Sequence, residues 1–156
     1  MHLTNFSDYA LRVLIYLSLR NEKSSIAEVS KILNLSENHL MKVVHRLAKL
    51  GYIQSLRGKN GGIQMALAPR KINLGKIIVE LEPNFNIAEC FDEEKGLCIL
   101  SPECRLKGYF NEAKKAFLKT LGKYSLADLT KNKSELLALM VPSEVKNRTY
   151  NVLKKE

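Results

Sequence analysis

The sequence predicts a mainly α-helical chain with one small β hairpin and a long helix after it. Three observations carry this. Apolar residues recur at helical spacing through residues 5–50, the period drops from 3.6 to 2 just after Gly51, and a wide apolar stripe returns from residue 105. At 156 residues and 46% hydrophobic, the chain suffices for one compact domain with an appended element.

The first helix, residues 5–20, carries Phe6, Tyr9, Ala10, Val13, Leu14 and Leu17 on one face. A turn follows over 21–24. Ser25 and Glu28 have capping-box spacing, the hydroxyl taking an orphan N–H while the glutamate reaches back, and they open a second helix over 25–33. Asn34-Leu35 connects tightly to Ser36, which caps a third helix running to Leu50 with Leu40, Val43, Val44, Leu47 and Leu50 inward. Gly51 closes it where left-handed backbone is tolerated. Strands are expected at 52–56 and 63–67 around Arg57-Gly-Lys-Asn-Gly-Gly62, with Asn60-Gly61 as a favoured hairpin pair. Three helices and a basic hairpin make a winged helix-turn-helix, assigned to residues 1–82.

A short fourth helix over 74–82 stops at Pro83. Residues 83–104 show no clean period, are rich in acids, and contain all three cysteines. The long helix, 105–121, is expected to place Leu106, Phe110, Ala113, Phe117 and Leu121 inward and Lys107, Lys114 and Lys119 outward. Tyr109 and Ala116 widen its stripe, which suits a partner subunit or a well-buried helix within the chain. Residues 125–130 read as one further turn, and 131–156 as a C-terminal tail whose last fourteen residues are polar and loose.

Charge narrows the function. The net charge is +9, and residues 1–70 hold ten bases against four acids. A basic half favours a polyanion, because neutralising phosphates releases counterions. On the third helix Asn38, Lys42, His45, Arg46 and Lys49 point outward, with Ser36 and His39 at its exposed start. A recognition helix needs amides, hydroxyls and bases there to read major-groove edges; Asn38 suits adenine, and Lys42 suits guanine or phosphate. Arg57, Lys59 and Asn60 sit at a slim hairpin tip suited to a minor groove about 6 Å wide. Ser36, Asn38, His39, Lys42, Arg46, Arg57, Lys59 and Asn60 are therefore the candidate DNA contacts. The glycine-rich tip lacks the Gly-Lys-Ser/Thr ending of a phosphate loop and leads into a strand.

No apolar run reaches the length of about 18 residues that spans a bilayer, and Asp8 and Arg12 interrupt the first apolar stretch, unlike a signal peptide. A cytoplasmic protein is expected, with no membrane partner. An odd number of cysteines excludes a disulfide scaffold. The spacing Cys90-x7-Cys98-x5-Cys104 is too loose for a zinc knuckle, yet three soft ligands in a segment with little core pattern point to metal. Zinc and iron–sulfur sites both commonly use four protein ligands, so one position remains to be supplied. Cys98 as a nucleophile lacks a nearby base, and no cofactor fingerprint exists, so no enzyme is expected.

The opening Leu3-Thr-Asn-Phe-Ser-Asp-Tyr-Ala-Leu-Arg12, the Leu56-Arg-Gly-Lys-Asn-Gly-Gly62 wing, Glu80-Leu-Glu-Pro83, Cys104-Arg-Leu-Lys107 and Tyr124-Ser-Leu-Ala-Asp-Leu129 resemble the iron–sulfur winged-helix transcriptional repressors. The resemblance covers residues 1 to about 140 and is strongest to the nitric-oxide-sensing branch. It implies a homodimer crossing at the long helix, making 105–130 a dimerisation helix with a short following helix. It also implies one iron–sulfur cluster per subunit, [4Fe–4S] or [2Fe–2S], on Cys90, Cys98 and Cys104, which makes 83–104 a cluster-binding loop. In that branch a fourth ligand comes from an aspartate at the start of the first helix of the other subunit, matching Asp8. IscR-type sequences place a histidine three residues after the last cysteine; here that residue is Lys107, and His2, His39 and His45 lie in the DNA-binding half.

The expected function is thus a nitric-oxide-responsive repressor whose affinity for a palindromic double-stranded operator depends on the cluster. The alternatives are an iron- or redox-responsive regulator of the IscR type, and a structural-zinc protein that binds partners and uses no DNA.

Overall fold

Each of the first three helices starts where a side-chain oxygen takes up an orphan backbone N–H. The computed structural model describes residues 2–56, 58, 61–92 and 98–140. Helix α1 (Asn5–Arg20) is capped by Thr4, whose hydroxyl oxygen accepts the Ser7 N–H. Ser25 and Ser36 cap α2 (Ile26–Leu33) and α3 (Glu37–Lys49) in the same way. Asn34, in left-handed backbone at φ 53°, makes the tight turn between them, and Gly51 at φ 79° follows α3 as its position suggested. Only half of the expected capping box at α2 forms. Ser25 Oγ accepts the Glu28 N–H at 3.1 Å, but the Glu28 carboxylate instead accepts the hydroxyl of buried Tyr16 at 2.8 Å. A phenol inside the core needs an acceptor, and that demand outweighs the local cap.

Strands β1 (Ile53–Leu56) and β2 (Gly62–Met65) pair antiparallel, with Ile53 opposite Met65 and Leu56 opposite Gly62. Residues 57–61 connect them, and Asn60 of the favoured Asn60-Gly61 pair lies outside the described residues. Positive φ falls on Gly58 (99°) and Gly62 (153°), and the Gly61 N–H donates to the Gly58 carbonyl at 2.8 Å. Gly62 has a packing reason too: a Cβ there would lie 2.8 Å from the Ser24 carbonyl oxygen. Ser24 exchanges both backbone hydrogen bonds with Ile63, at 3.0 and 2.8 Å, so the turn over 21–24 also anchors the wing like a third strand. Arg57, Lys59 and Asn60 lie outside the described residues.

The core is built around α1. Ala10, Val13, Leu14, Tyr16 and Leu17 pack with Val29, with Leu40, Val43, Val44 and Leu47 of α3, and with Ile53 and Ile63 of the hairpin. Burying each large apolar side chain contributes about 1.5–3 kcal/mol. Helix α4 (Leu74–Leu81) adds Ile77 and Leu81 to this core and stops before Pro83, as expected.

Asn73 caps α4, accepting the Lys76 N–H at 3.0 Å, and also donates to the Gly122 carbonyl at 2.7 Å. Through this contact and Gly75, α4 meets the end of α5 (Arg105–Leu121). A Cβ on Gly75 would lie 2.8 Å from Gly122 N and 2.9 Å from the Leu118 carbonyl oxygen. Residues Leu126–Thr130 form a 3₁₀ turn capped reciprocally by Ser125 and Asp128, and Leu126 enters the core.

Two expectations change. The inward set assigned to the long helix is not buried: no residue of α5 is, and Leu106 and Tyr109 are 54% and 63% exposed. Ala113 is exposed as well, while Phe110, Phe117 and Leu121 are half-buried. Among the described residues, α5 packs along part of its apolar stripe and presents the rest outward. The stretch expected as tail from residue 131 begins with a helix, α6 (Lys133–Leu139), followed by Met140 packed on the core. Its short apolar spacing, Leu136, Leu137 and Leu139, is too brief to register as a period among so many polar residues. The last fourteen residues lie outside the described residues.

Candidate nucleic-acid interface and thiol segment

Helix α3 separates its two faces completely. Leu40, Val43, Val44 and Leu47 are buried, and Glu37, Asn38, His39, Met41, Lys42, His45 and Lys49 are exposed. Asn38, His39 and Lys42 thus stand together on the outer side of the N-terminal half. Ser36 is exposed, and its oxygen accepts the His39 N–H at 3.3 Å, so it fixes the start of the helix. The His39 ring lies 6.5 Å from that of Tyr9 on α1, which steadies this end of the reading face against the core helix.

Arg46 is placed differently from its outward neighbours. It is half-buried, and its guanidinium donates to the Glu80 main-chain carbonyl on α4 at 2.8 Å. Glu80 also accepts the hydroxyl of Tyr52, at the root of β1, at 2.5 Å. Burial and this carboxylate push the Tyr52 phenol well above its ordinary pKa. Helix α4 therefore braces both the recognition helix and the wing. Helical periodicity classed Arg46 as outward, because spacing along one helix says nothing about a second helix crossing beside it.

The three cysteines sit on separate local structures. Cys90 is half-buried in a 3₁₀ turn, Glu89–Phe91, and Cys98 is exposed, its carbonyl accepting the Ser101 N–H. Cys104 is half-buried at the N-cap of α5. All three are free thiols. Phe91 holds the loop to α5: its ring lies 6.4 Å from Phe110, with the Lys114 ammonium 5.3 Å from its centre. Lys107 reaches back to Ser101 Oγ at 3.0 Å, clamping the last turn before Cys104.

Among the described residues no three His, Cys, Asp or Glu side chains come together as a group able to hold a metal ion. The donor set nevertheless fits iron–sulfur chemistry: three unoxidised soft ligands on one connecting segment, with no competing disulfide. Asp8 lies away from them in sequence, in the first turn of α1. Its carboxylate is held by Arg12 one turn on, through Nε at 3.1 Å and a second guanidinium nitrogen at 2.7 Å. Both side chains are about half exposed, so this pair is open to exchange.

Sequence reasoning did not find the ties that join these parts. Thr4, which caps α1, donates its N–H and hydroxyl to Glu82 Oε1 at 2.9 and 3.1 Å, seventy-eight residues away in sequence. The only visible signal was the Glu80-Leu-Glu-Pro83 motif, and its role rests on contacts no local pattern encodes.

A winged helix-turn-helix with an exposed polar reading face and a basic N-terminal half defines a DNA-binding transcriptional regulator. The Rrf2 family, described as an iron-dependent transcriptional regulator, matches residues 3–132, and the chain belongs to it. It is 47% identical over 146 residues to the HTH-type transcriptional regulator NsrR of Bacillus subtilis (strain 168), covering 92% of this chain and all of that one. It is also 47% identical over 142 residues to NsrR of Halalkalibacterium halodurans, covering 90% and 97% of the two chains. The fold is similar to the crystal structure of a putative transcriptional regulator from Listeria innocua, with a TM-score of 0.69 and 27% identity, covering 84% and 87%. Among the described residues no helix is long and apolar enough to cross a membrane.

Proposed function

We propose that the chain acts as a homodimeric repressor that carries one iron–sulfur cluster per subunit and releases its operator in response to nitric oxide. Cys90, Cys98 and Cys104 hold the cluster, and the partner subunit's Asp8 supplies the fourth ligand. The observation that carries this reading is the placement of three free thiols on the segment joining α4, which braces the recognition helix, to α5, whose outward apolar face suits a second subunit.

When bound, the cluster supplies iron that reacts with nitric oxide. The chain's own contribution lies at Asp8. Its carboxylate is a hard, weak ligand among soft thiolates, and it has an alternative partner in Arg12. Asp8 would pair with Arg12 whenever it is not serving as a ligand, and that exchange would change the charge at the start of α1, the helix on which α3 packs. Asn38, His39 and Lys42 of two α3 helices enter successive major grooves about 34 Å apart on a palindromic site. The wings, with Arg57, Lys59 and Asn60, reach the flanking minor grooves. Ser36 and Arg46 hold the reading helix in position. The protein works in the cytoplasm, and this function needs no catalytic step.

The test is anaerobic purification with iron, sulfide and zinc counts, followed by titration with nitric oxide while operator binding is measured. Iron and sulfide in comparable amounts, and an affinity drop of about 5–150-fold on titration, are expected. Asp8→Ala is expected to keep operator binding by the loaded protein while altering its rate of reaction with nitric oxide. Zinc without iron would establish the structural-zinc reading. Loss of binding on iron depletion alone, with indifference to nitric oxide, would establish the iron-responsive one.

A further inference from the structure

The last turn of α4 carries two acidic residues that face different parts of the molecule. At 100° per residue, positions i and i+2 point to nearly opposite sides of a helix. Glu80 takes Tyr52 at the wing root on its carboxylate and Arg46 of the recognition helix on its carbonyl. Glu82, at the C-cap where the backbone leaves the helix at ψ 134°, takes the N–H and hydroxyl of Thr4. Leu81 between them is buried, so the turn cannot swivel freely. Pro83 follows at once and leads into the cysteine segment. Three residues therefore join the DNA-reading elements, the first turn of α1 and the start of the thiol segment.

The two ties differ in how easily they open. Tyr52 is buried, and losing its acceptor leaves a phenol in the core unsatisfied. Thr4 and Glu82 instead line a half-open cavity of about 540 Å³, together with Pro83, Phe85 and Phe117 of α5. Their hydrogen bonds can break without opening the core. One end is a fixed anchor and the other a latch, and the latch holds the helix turn that carries Asp8.

We propose that Glu82 is a positioning residue that couples the thiol segment and the start of α1 to the recognition helix, with Glu80 as the fixed end of the relay. This rests on the reading that cluster state governs operator affinity. The latch makes that affinity respond; without it, α1 moves at its N-terminus and α4 does not follow.

The experiment uses a fluorescent duplex enriched by the wild-type protein from a random-sequence pool. Anisotropy titrations compare anaerobic cluster-loaded protein with the same protein after its iron is removed by chelation. The ratio of the two affinities is the readout, with iron and sulfide counts and a thermal midpoint for every variant. Glu82→Ala is expected to load iron normally and to shrink a wild-type ratio of about 5–150-fold to within about twofold of unity. Glu82→Gln, which keeps an acceptor for Thr4, is expected to restore the ratio, and Tyr52→Phe to shrink it from the other end. A wild-type ratio in Glu82→Ala, or a Glu82→Gln variant no better than Glu82→Ala, overturns the proposal. Should Glu82→Ala not fold, Tyr52→Phe and Thr4→Ala decide, and wild-type ratios in both overturn it. A ratio of one in the wild-type protein itself refutes the cluster-dependent reading before any substitution is made, and the relay falls with it.

Discussion

The reading head and the thiol-bearing half are built on opposite plans. In the head, α1, α3 and the hairpin bury one another's apolar faces, and α1, α2, α3 and α4 each start at a side-chain cap. Beyond Pro83 the chain turns through short 3₁₀ segments into α5, whose N-cap residue makes no side-chain cap bond and which has no buried residue. Ile99, next to Cys98, is 91% exposed. A region that satisfies itself is suited to constant geometry. One that presents free thiols and apolar surface has room to bind. The two halves meet at α4, which contacts the recognition helix and the wing through Glu80 and α5 through Gly75.

The largest effect expected separates the halves directly. Leu14→Ala in the centre of the core should cost about 2–5 kcal/mol of folding stability, by lost burial plus a cavity. Leu106→Ala, similar in chemistry but on the exposed stripe of α5, should change monomer stability by less than about 0.5 kcal/mol. Denaturant unfolding of both variants checks this, and equal costs would erase the contrast. Next comes the junction. Gly75→Ala places a methyl group within 2.9 Å of the backbone of Gly122 and Leu118, so α5 must shift. A loss of about 1–3 kcal/mol is expected, with hydrogen exchange accelerated in α5 more than in α3. Uniform acceleration would mean that α4 and α5 are one unit with the head.

The smallest effect concerns acid. The Asp128 carboxyl is held well below its usual range by Lys131, and then by the N–H and hydroxyl of Ser125. A depressed folded-state pKa stabilises above the unfolded value of about 3.9 and is lost as pH falls below it. Asp128→Asn should therefore lower the melting temperature slightly at neutrality, with the difference closing as pH falls, so that its acid limb is flatter. Parallel acid limbs would show that this cap carries none of the acid sensitivity.

Much of the head was legible because its cues are local. Ser25, Ser36 and Gly51 mark boundaries through backbone chemistry, and Leu40, Val43, Val44 and Leu47 mark the inner face of α3 through spacing alone. The second strand starts at Gly62, one residue before the expected Ile63, and the close packing of Gly62 comes from Ser24 across the wing and not from the loop. Arg46 and Glu28 were misassigned for a related reason: each was read against its own helix, while Glu80 and Tyr16 on other helices engage them. The cysteines were identified as one chemical set, yet their spacing alone does not say how the loop arranges them.

By itself the sequence determined the order of the first five helices, the serine caps of α2 and α3, the split faces of α3 and the set of three thiols. All follow from interactions within a few residues, where connectivity already fixes which groups can meet. Only the tertiary structure decided that Thr4 meets Glu82, that Arg46 and Tyr52 converge on Glu80, and that Gly75 lets α5 lie against α4. Those partners stand tens of residues apart, and they meet because burial of the apolar faces fixes how the helices cross.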